Sequence, residues 1–160
     1  MVAASPEETL IGPEALSHPD SIWCLDRYFN EIDRRFPDGF DRDAGGAPDD
    51  SIYAPPTGAF LLARAGDLPV GCGGVAFREG YAEIKRMWVC DDARGQGLGY
   101  RLLLALEEAA VQGGFTRLRL DSNNTLVEAQ KLYRRAGYAE IARYNDNPYA
   151  QVWFEKTLGD

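Results

Sequence analysis

The first patterned segment of the chain is a helical repeat of apolar residues. Apolar side chains recur at intervals of three and four over residues 20–36, as on the buried face of an amphipathic helix. Asp20 or Ser21 is a suitable N-cap, and Pro37 with Gly39 would end the helix. The pattern therefore predicts one helix over residues 20–36.

Beyond Gly58 the pattern changes to short apolar runs separated by turn residues, which is typical of an antiparallel meander. It predicts strands over residues 59–64, 70–77 and 81–89. A second helical repeat covers residues 98–112, and Gly113 with Gly114 would end it. The remaining pattern predicts a strand over 116–121, a helix over 125–136, and strands over 138–144 and 149–156 joined by Asn145-Asp146-Asn147-Pro148.

This order of elements predicts an α/β (α+β) fold, in which a mixed central sheet is flanked by helices. A length of 160 residues suits one hydrophobic core, so we expect a single domain over residues 1–160. Residues 1–58 would supply the first helix and a long irregular loop, and residues 59–158 the sheet-based core. The loop over residues 37–58 is acidic and contains Asp38, Asp41, Asp43, Asp49 and Asp50.

The charge of the chain limits its partners. Asp and Glu number 25 against 17 Lys and Arg, a net charge of -8. Nucleic acid and anionic membranes are bound by clustered basic residues, so we expect neither as a partner. No apolar run approaches the roughly 18 residues of a membrane span. Glu7 and Glu8 stand where a secretory signal carries basic residues, and we expect a cytoplasmic protein.

Few residues are suited to metal binding or to His-dependent catalysis. Cys24, Cys72 and Cys90 lack CxxC spacing, and His18 is the only histidine. The sequence therefore predicts neither a disulfide framework nor a metal site. A Cys/His or Ser/His/Asp arrangement would have to use His18, which lies in a predicted loop.

The segment with the clearest chemical signal joins the strand over residues 81–89 to the helix over 98–112. It reads Arg94-Gly95-Gln96-Gly97-Leu98-Gly99. Glycines directly before a helix leave backbone N–H groups free of Cβ obstruction, and the helix dipole adds positive potential there. The segment matches neither GxGxxG nor GxxxxGK[ST]. It predicts a diphosphate-binding loop, with a purely structural turn as the alternative.

Two motifs together resemble the GCN5-related N-acetyltransferase (GNAT) superfamily. They are Arg94-x-x-Gly97-x-Gly99 and Ala129-x-x-Leu132-Tyr133-x-x-x-Gly137-Tyr138. The resemblance covers roughly residues 59–156 and is weak before residue 58. The ending over residues 144–156 is similar to bacterial members whose acceptor is unassigned. The resemblance implies an acetyl-CoA-dependent N-acetyltransferase whose mostly antiparallel sheet contains a splayed parallel strand pair.

The resemblance also implies where acetyl-CoA would bind. The strand before the loop would contact the pantetheine arm through its backbone, and the loop amides would contact the diphosphate. Many members carry Asn where this chain has Leu126; Asn123 would substitute for it, or would only cap the next helix with Thr125. The implied cofactor-binding residues are Met87, Trp88, Val89, Arg94, Gly95, Gln96, Gly97, Leu98, Gly99, Tyr100, Asn123 and Tyr133.

Two residues are candidates for the proton transfers. Glu83 lies at the position where histone-modifying members carry a general-base glutamate, and it would deprotonate an alkylammonium. Its alternative role is an ion pair with Lys85 or Arg86. Tyr133, in the second motif, would donate a proton to the departing CoA thiolate, or would only pack in the core beside Leu132.

The acceptor would be a primary amine of a small molecule or peptide. The acidic loop over residues 37–58 favours a cationic one, although acidic loops also serve solubility. A non-catalytic acyl-CoA-binding sensor and a protein-interaction module remain as alternatives. A homodimer is possible through Tyr149, Trp153 and Phe154, whose alternation also suits a core strand.

Overall fold

The computed structural model describes residues 9–41 and 50–159. Within those ranges it contains seven strands and three α-helices. The strands are β1 (Thr9–Pro13), β2 (Gly58–Ala65), β3 (Leu68–Phe77), β4 (Ala82–Val89), β5 (Arg117–Ser122), β6 (Ala139–Ile141) and β7 (Val152–Thr157). The helices are α1 (Pro19–Arg35), α2 (Leu98–Gln112) and α3 (Val127–Arg135), and short 3₁₀ helices form at Asp50–Tyr53 and Asp91–Ala93.

The seven strands form one mixed sheet in the order β1-β2-β3-β4-β5-β7-β6. All neighbours are antiparallel except β4 and β5, which run parallel. This parallel pair is joined only where Ala82 faces Leu118 and Glu83 faces Arg119, and beyond these residues the two strands diverge. The predicted mixed, mostly antiparallel sheet with a splayed parallel pair is confirmed.

Helices cover both faces of the sheet, because successive strand residues point to opposite sides. On one face, Leu102, Leu103 and Leu106 of α2 pack with Tyr133 of α3 and Leu118 of β5. On the other face, the apolar stripe of α1 packs against β2, β3 and β4. Each fully buried leucine stabilises the fold by about 1.5–3 kcal/mol. The first cluster joins β4 to β5, and the second packs β4 against α1.

Three boundaries differ from the sequence predictions. Strand β1 was not predicted, because Gly12 and Pro13 interrupt its alternation and it pairs only with β2. The strand expected over residues 138–144 is only Ala139–Ile141, since Tyr144 instead hydrogen-bonds a strand in the centre of the sheet. The strand expected over residues 149–156 begins at Val152, because the preceding residues form a turn in which Ala150 N–H donates to the Asn147 carbonyl at 3.2 Å.

The first helix also begins differently from the prediction. The N-cap is His18, whose Nδ1 accepts from the Asp20 backbone N–H at 3.0 Å. The Asp20 carboxylate is instead bound by Arg64, at 3.0 Å. An imidazole nitrogen thus does the capping that Asp or Ser was expected to do.

Part of the predicted acidic loop lies outside the described residues, including Asp43 and Asp49, as do Glu7 and Glu8. In the part of the chain that the structure describes, no helix combines the length and apolarity that a membrane crossing requires. Trp153 and Phe154, predicted as possible dimer contacts, are buried within the chain itself.

Candidate active site

The divergence of β4 and β5 opens a cleft with a volume of about 1030 Å³. Small-molecule sites usually occupy roughly 300–1,000 Å³, so the cleft can hold a large ligand. Its walls are the free part of β4, helix α1, the 94–100 loop with the facing side of α3, and the 145–150 loop. Glu83, Tyr133 and Gly97 all line this cleft.

The loop before α2 has the backbone shape of an anion site. Gly95 and Gly97 have φ angles of 81° and 80°, a region that disfavours residues with a Cβ. A Cβ built on either glycine would meet no atom within 4 Å, so open space lies in front of both. Gly97 caps α2 without a side-chain hydrogen bond, which leaves the first-turn N–H groups without a side-chain cap. A diphosphate fits these donors.

A bulge in β4 shapes the wall beside this loop. Cys72 faces Trp88 and Gly74 faces Lys85, so Arg86 and Met87 together oppose a single residue of β3. Arg86 adopts a φ of 63°, which is unusual for a residue other than glycine. From residue 84 onward, the β4 edge that faces β5 has no strand partner among the described residues. An extended pantetheine arm could therefore bond to this edge as an added strand would.

Arg94 bonds to its surroundings at the entrance of the loop. Its Nε donates to the Val89 carbonyl at 2.8 Å, and its Nη atoms contact Glu31 at 2.6 Å and Asp91 at 2.8 Å. The side chain therefore ties α1 to the end of β4. Gly99 serves helix packing, since a Cβ there would approach Leu132 of α3 to 3.3 Å.

Glu83 is held at the point where β4 and β5 part. It is 3% exposed. Its Oε2 accepts from the Tyr144 hydroxyl at 2.7 Å and from the Asn145 side-chain amide at 3.1 Å. Its Oε1 accepts from Arg78 Nη2 at 3.2 Å, and Lys85 Nζ lies 4.0 Å from Oε2. Burial and the nearby Glu83 raise the pKa of Tyr144, so this phenol stays a donor.

Asp121 forms the matching anchor on β5. Its carboxylate accepts from Lys85 Nζ at 2.8 Å, from Asn145 Nδ2 at 2.6 Å and from Asn147 Nδ2 at 3.2 Å. Trp153 Nε1 donates to Asn145 Oδ1 at 2.9 Å and so orients that amide. The loop over residues 144–147 is thereby fastened across both diverging strands and closes one end of the cleft.

Tyr133 reaches the cleft from the opposite side, on α3. It is 8% exposed and packs its ring against Tyr138 and Phe154, with centroids 6.2 and 5.9 Å away. Burial raises the pKa of this phenol above its ordinary value of about 10. Among the described residues, none forms a hydrogen bond with its hydroxyl group. The phenol therefore stays protonated at neutral pH and is available to a ligand.

A family profile described as Acetyltransferase (GNAT) family matches residues 25–138, which is more than half of the chain. The chain is a member of the GNAT family. It is an acyltransferase. Over 133 residues it is 34% identical to the IAA acetyltransferase of Azospirillum brasilense, and the match covers 80% of this chain and 86% of that protein.

Two solved structures show the same fold. A GNAT-family acetyltransferase from Staphylococcus aureus superposes on 94% of this chain and 99% of its own, with a TM-score of 0.79 and 20% identity. A GNAT-family acetyltransferase from Elizabethkingia anophelis, solved with acetyl-CoA bound, superposes on 95% of this chain and 99% of its own, with a TM-score of 0.65 and 17% identity. Identities this low show only the common fold.

The GNAT fold brings most of the predicted site residues together. All predicted cofactor residues line the cleft except Gln96, whose side chain bonds to the Asp92 carbonyl at 3.3 Å. Asn123 lines it too, but its amide donates to the Tyr149 carbonyl at 2.8 Å and accepts from Thr125 at 2.8 and 3.0 Å. Asn123 therefore holds the turn before α3, whose N-cap is Leu126 without a side-chain hydrogen bond. The contact of Asn123 with the cofactor stays a prediction.

Two cleft residues of this GNAT chain, Arg78 and Asp121, escaped the sequence analysis, as did the contact of Tyr144 with Glu83. Lys85 was considered only as an ion-pair partner of Glu83, and its shorter contact is with Asp121. Tyr144 lies 61 residues from Glu83 along the chain, so no local pattern could connect them. The two amides Asn145 and Asn147, in the loop before the last strand, were the available signal.

Proposed function

We propose that this GNAT acyltransferase transfers the acetyl group of acetyl-CoA to a primary amine, with Glu83 taking a proton and Tyr133 supplying one. The observation that carries the proposal is the placement of both side chains on one cleft, which also contains the open glycine loop before α2. A binding module without catalysis would need the loop but would need neither Glu83 nor Tyr133.

The residues around the cleft suit acetyl-CoA. The amides from Gly95 to Tyr100 would hold the diphosphate, and the unpaired edge of β4 at Met87 to Val89 would hold the pantetheine arm. When bound, acetyl-CoA supplies an acetyl group activated as a thioester. The Elizabethkingia anophelis enzyme of the same fold was solved with acetyl-CoA bound, which supports this choice of donor.

Glu83 would act on the amine. An alkylammonium has a pKa near 10.4 and cannot attack until it loses a proton. The Glu83 carboxylate, held by Arg78, Tyr144 and Asn145, would accept that proton directly or through a water molecule. Its hydrogen bonds fix the orientation of the carboxylate, so little reorganisation would accompany the transfer.

Tyr133 would act on the sulfur. As the C–N bond of the product forms and the C–S bond breaks, the Tyr133 hydroxyl would donate its proton to the departing thiolate. The raised pKa of this buried phenol keeps the proton in place until then. The attacking nitrogen carries a second proton, which would pass to the Tyr133 phenolate as the amide forms, and Glu83 would then release its own proton to solvent. One proton is thus released for each alkylammonium that is acetylated, and the enzyme returns to its starting state.

Thiol release from acetyl-CoA across a panel of primary amines tests the proposal. We expect amine-dependent release with the wild type and a decrease in kcat/KM of about 10²-fold or more with Glu83→Gln. The affinity of Glu83→Gln for CoA should stay within a few fold, measured by calorimetry. A panel that gives no amine-dependent release, while CoA still raises the melting temperature, would favour an acyl-CoA sensor.

A further inference from the structure

Three of the cationic side chains that line the cleft lie on β4 or in the turn before it, and they differ in how well they are neutralised. Lys85 Nζ bonds to Asp121 at 2.8 Å, and Arg78 Nη2 bonds to Glu83 at 3.2 Å. Arg86 is the third, with Asp50 Oδ1 at 3.1 Å from its Nη2. Because a guanidinium has five N–H donors, this single contact leaves most of the donor capacity of Arg86 unused.

Arg86 is also the most deeply buried of the three. It is 8% exposed, and among the described residues no acceptor bonds to its buried Nε. Its guanidinium lies over the rings of Phe29 and Tyr53, at 5.0 and 5.5 Å from their centroids. Buried polar groups in proteins are almost always paired, so the unpaired Nε shows that the described residues do not satisfy this guanidinium, although Arg86 also lines the cleft.

The backbone of β4 is distorted at this residue. The bulge puts Arg86 into the left-handed region, with a φ of 63°. Instead of pointing toward α2 as strict alternation would require, Arg86 contacts Phe29 of α1, on the face where Lys85 also lies. Strained backbone of this kind persists where the surroundings enforce it, which is common at ligand sites.

We propose that Arg86 binds a carboxylate of the acceptor, so that the acceptors are amines of the amino-acid class. This inference rests on the proposed N-acetyltransferase function. Planar guanidinium groups match carboxylates through adjacent N–H donors, and the flanking rings exclude water and strengthen the contact. Residues 83 and 86 are at most about 10 Å apart along the strand, so a small molecule can place its amine near Glu83 and its carboxylate at Arg86.

The alternative is that Arg86 only neutralises Asp50 and holds the 3₁₀ helix Asp50–Tyr53 within the acidic loop. The two roles differ in what happens when Asp50 loses its charge. If Arg86 binds the acceptor, Asp50→Asn keeps the preference for carboxylates, because the guanidinium remains. If Arg86 serves Asp50 alone, Arg86→Gln and Asp50→Asn should have similar effects on all acceptors.

The test compares acceptors that differ only in the carboxylate. Free L-amino acids, β- and γ-amino acids and simple dipeptides are each paired with the corresponding C-terminal amide, and kcat/KM is measured by thiol release from acetyl-CoA. The enzymes are the wild type, Arg86→Gln, Arg86→Lys, Asp50→Asn and Arg117→Gln. Arg117 is a control, since its half-exposed side chain contacts Glu155 away from the cleft. CoA affinity by calorimetry verifies that each variant is folded.

We expect the wild type to acetylate at least one carboxylate-bearing acceptor. Arg86→Gln should lower kcat/KM for that acid on the order of 10²-fold and for its amide less than threefold, which separates loss of a charge contact from general damage. Arg86→Lys should retain part of the preference, and Arg117→Gln all of it.

Two results would overturn the inference. They are turnover of amides or plain amines but of no carboxylate-bearing acceptor, and equal losses for acid and amide in Arg86→Gln. If Arg86→Gln does not bind CoA, the ratio of kcat/KM for the acid to kcat/KM for its amide is measured in Arg86→Lys and Asp50→Asn instead. Arg86→Lys should lower this ratio, and Asp50→Asn should keep it. Failure of the proposed function itself is distinguishable, because then no amine of either kind is acetylated.

Discussion

Replacing Tyr133 or Tyr138 by phenylalanine separates a chemical role from a structural one. The ring centroids of the two tyrosines lie 6.2 Å apart and both residues are buried, yet their hydroxyl groups have different surroundings. The Tyr138 hydroxyl donates to buried Glu107 at 2.9 Å, and Lys156 Nζ contacts the same carboxylate at 3.1 Å. The Tyr133 hydroxyl has no such contact with a described residue.

The magnitudes follow from these contacts. A hydrogen bond to a charged group contributes about 1.5–3 kcal/mol, so Tyr138→Phe should lower the free energy of unfolding by about 2 kcal/mol. In a domain of this size, that corresponds to a decrease in melting temperature of roughly 4–8 °C. Tyr133→Phe removes no hydrogen bond to a described residue, so its melting temperature should change by less than about 2 °C.

For kcat the order of the two variants should be reversed, with the larger loss in Tyr133→Phe. Tyr133→Phe should lower kcat by about 10²–10³-fold, within the usual range for loss of a general acid, while the Kd for CoA stays within threefold. Tyr138→Phe should retain kcat within threefold at temperatures well below its midpoint. Thiol-release kinetics, calorimetry with CoA and thermal unfolding of both variants supply the three readouts. An unchanged kcat in Tyr133→Phe would refute the general-acid role.

Two further predictions concern the glycine loop and the tyrosines. Gly97→Ala should raise the Kd for CoA about tenfold (~1.4 kcal/mol), because the added Cβ occupies the open space before α2. Gly66→Ala is the control, since Gly66 also has a positive φ and open space around it but lies in a turn outside the cleft. It should strain the backbone to a similar extent and leave the Kd for CoA unchanged. Equal effects of the two variants would contradict the assignment of the loop. On alkaline titration followed at 295 nm, five of the eight tyrosines should ionise only above pH 10 and together with unfolding. Because burial raises their folded-state pKa values, the stability they contribute is present below pH 10 and is lost as the pH rises further. Reversible ionisation of all eight near pH 10 in the folded protein would contradict these environments. The five are Tyr28, Tyr53, Tyr133, Tyr138 and Tyr144.

Features with a local cause were predictable from the sequence. The repeat over residues 20–36 predicts α1, because a helix with one buried face needs an apolar residue every three or four positions. This spacing is visible within a few residues of sequence. The glycines at 95 and 97 predict a tight, open turn before α2, and both have the positive φ that a side chain disfavours. The fold class followed from the order of these elements.

Features that depend on distant pairing were not predictable. Glu83 was identified, but its partners Tyr144 and Asn145 come from a loop more than sixty residues later. The successive charged residues Lys85 and Arg86 interrupt the alternation of β4, but the turn of Arg86 toward α1 depends on the register with β3. For the same reason β1, an edge strand containing Gly12 and Pro13, was missed.

Binding of coenzyme A through the amides of the 94–100 loop is the central claim. Its most direct test is calorimetric titration of the wild type and Gly97→Val with CoA and with pantetheine, which lacks the diphosphate. The structure predicts that the wild type binds CoA at least about 100-fold more tightly than pantetheine, equivalent to two charge-assisted hydrogen bonds, and that Gly97→Val loses this advantage. Equal affinity of the wild type for both ligands, or an undiminished advantage in Gly97→Val, would contradict it.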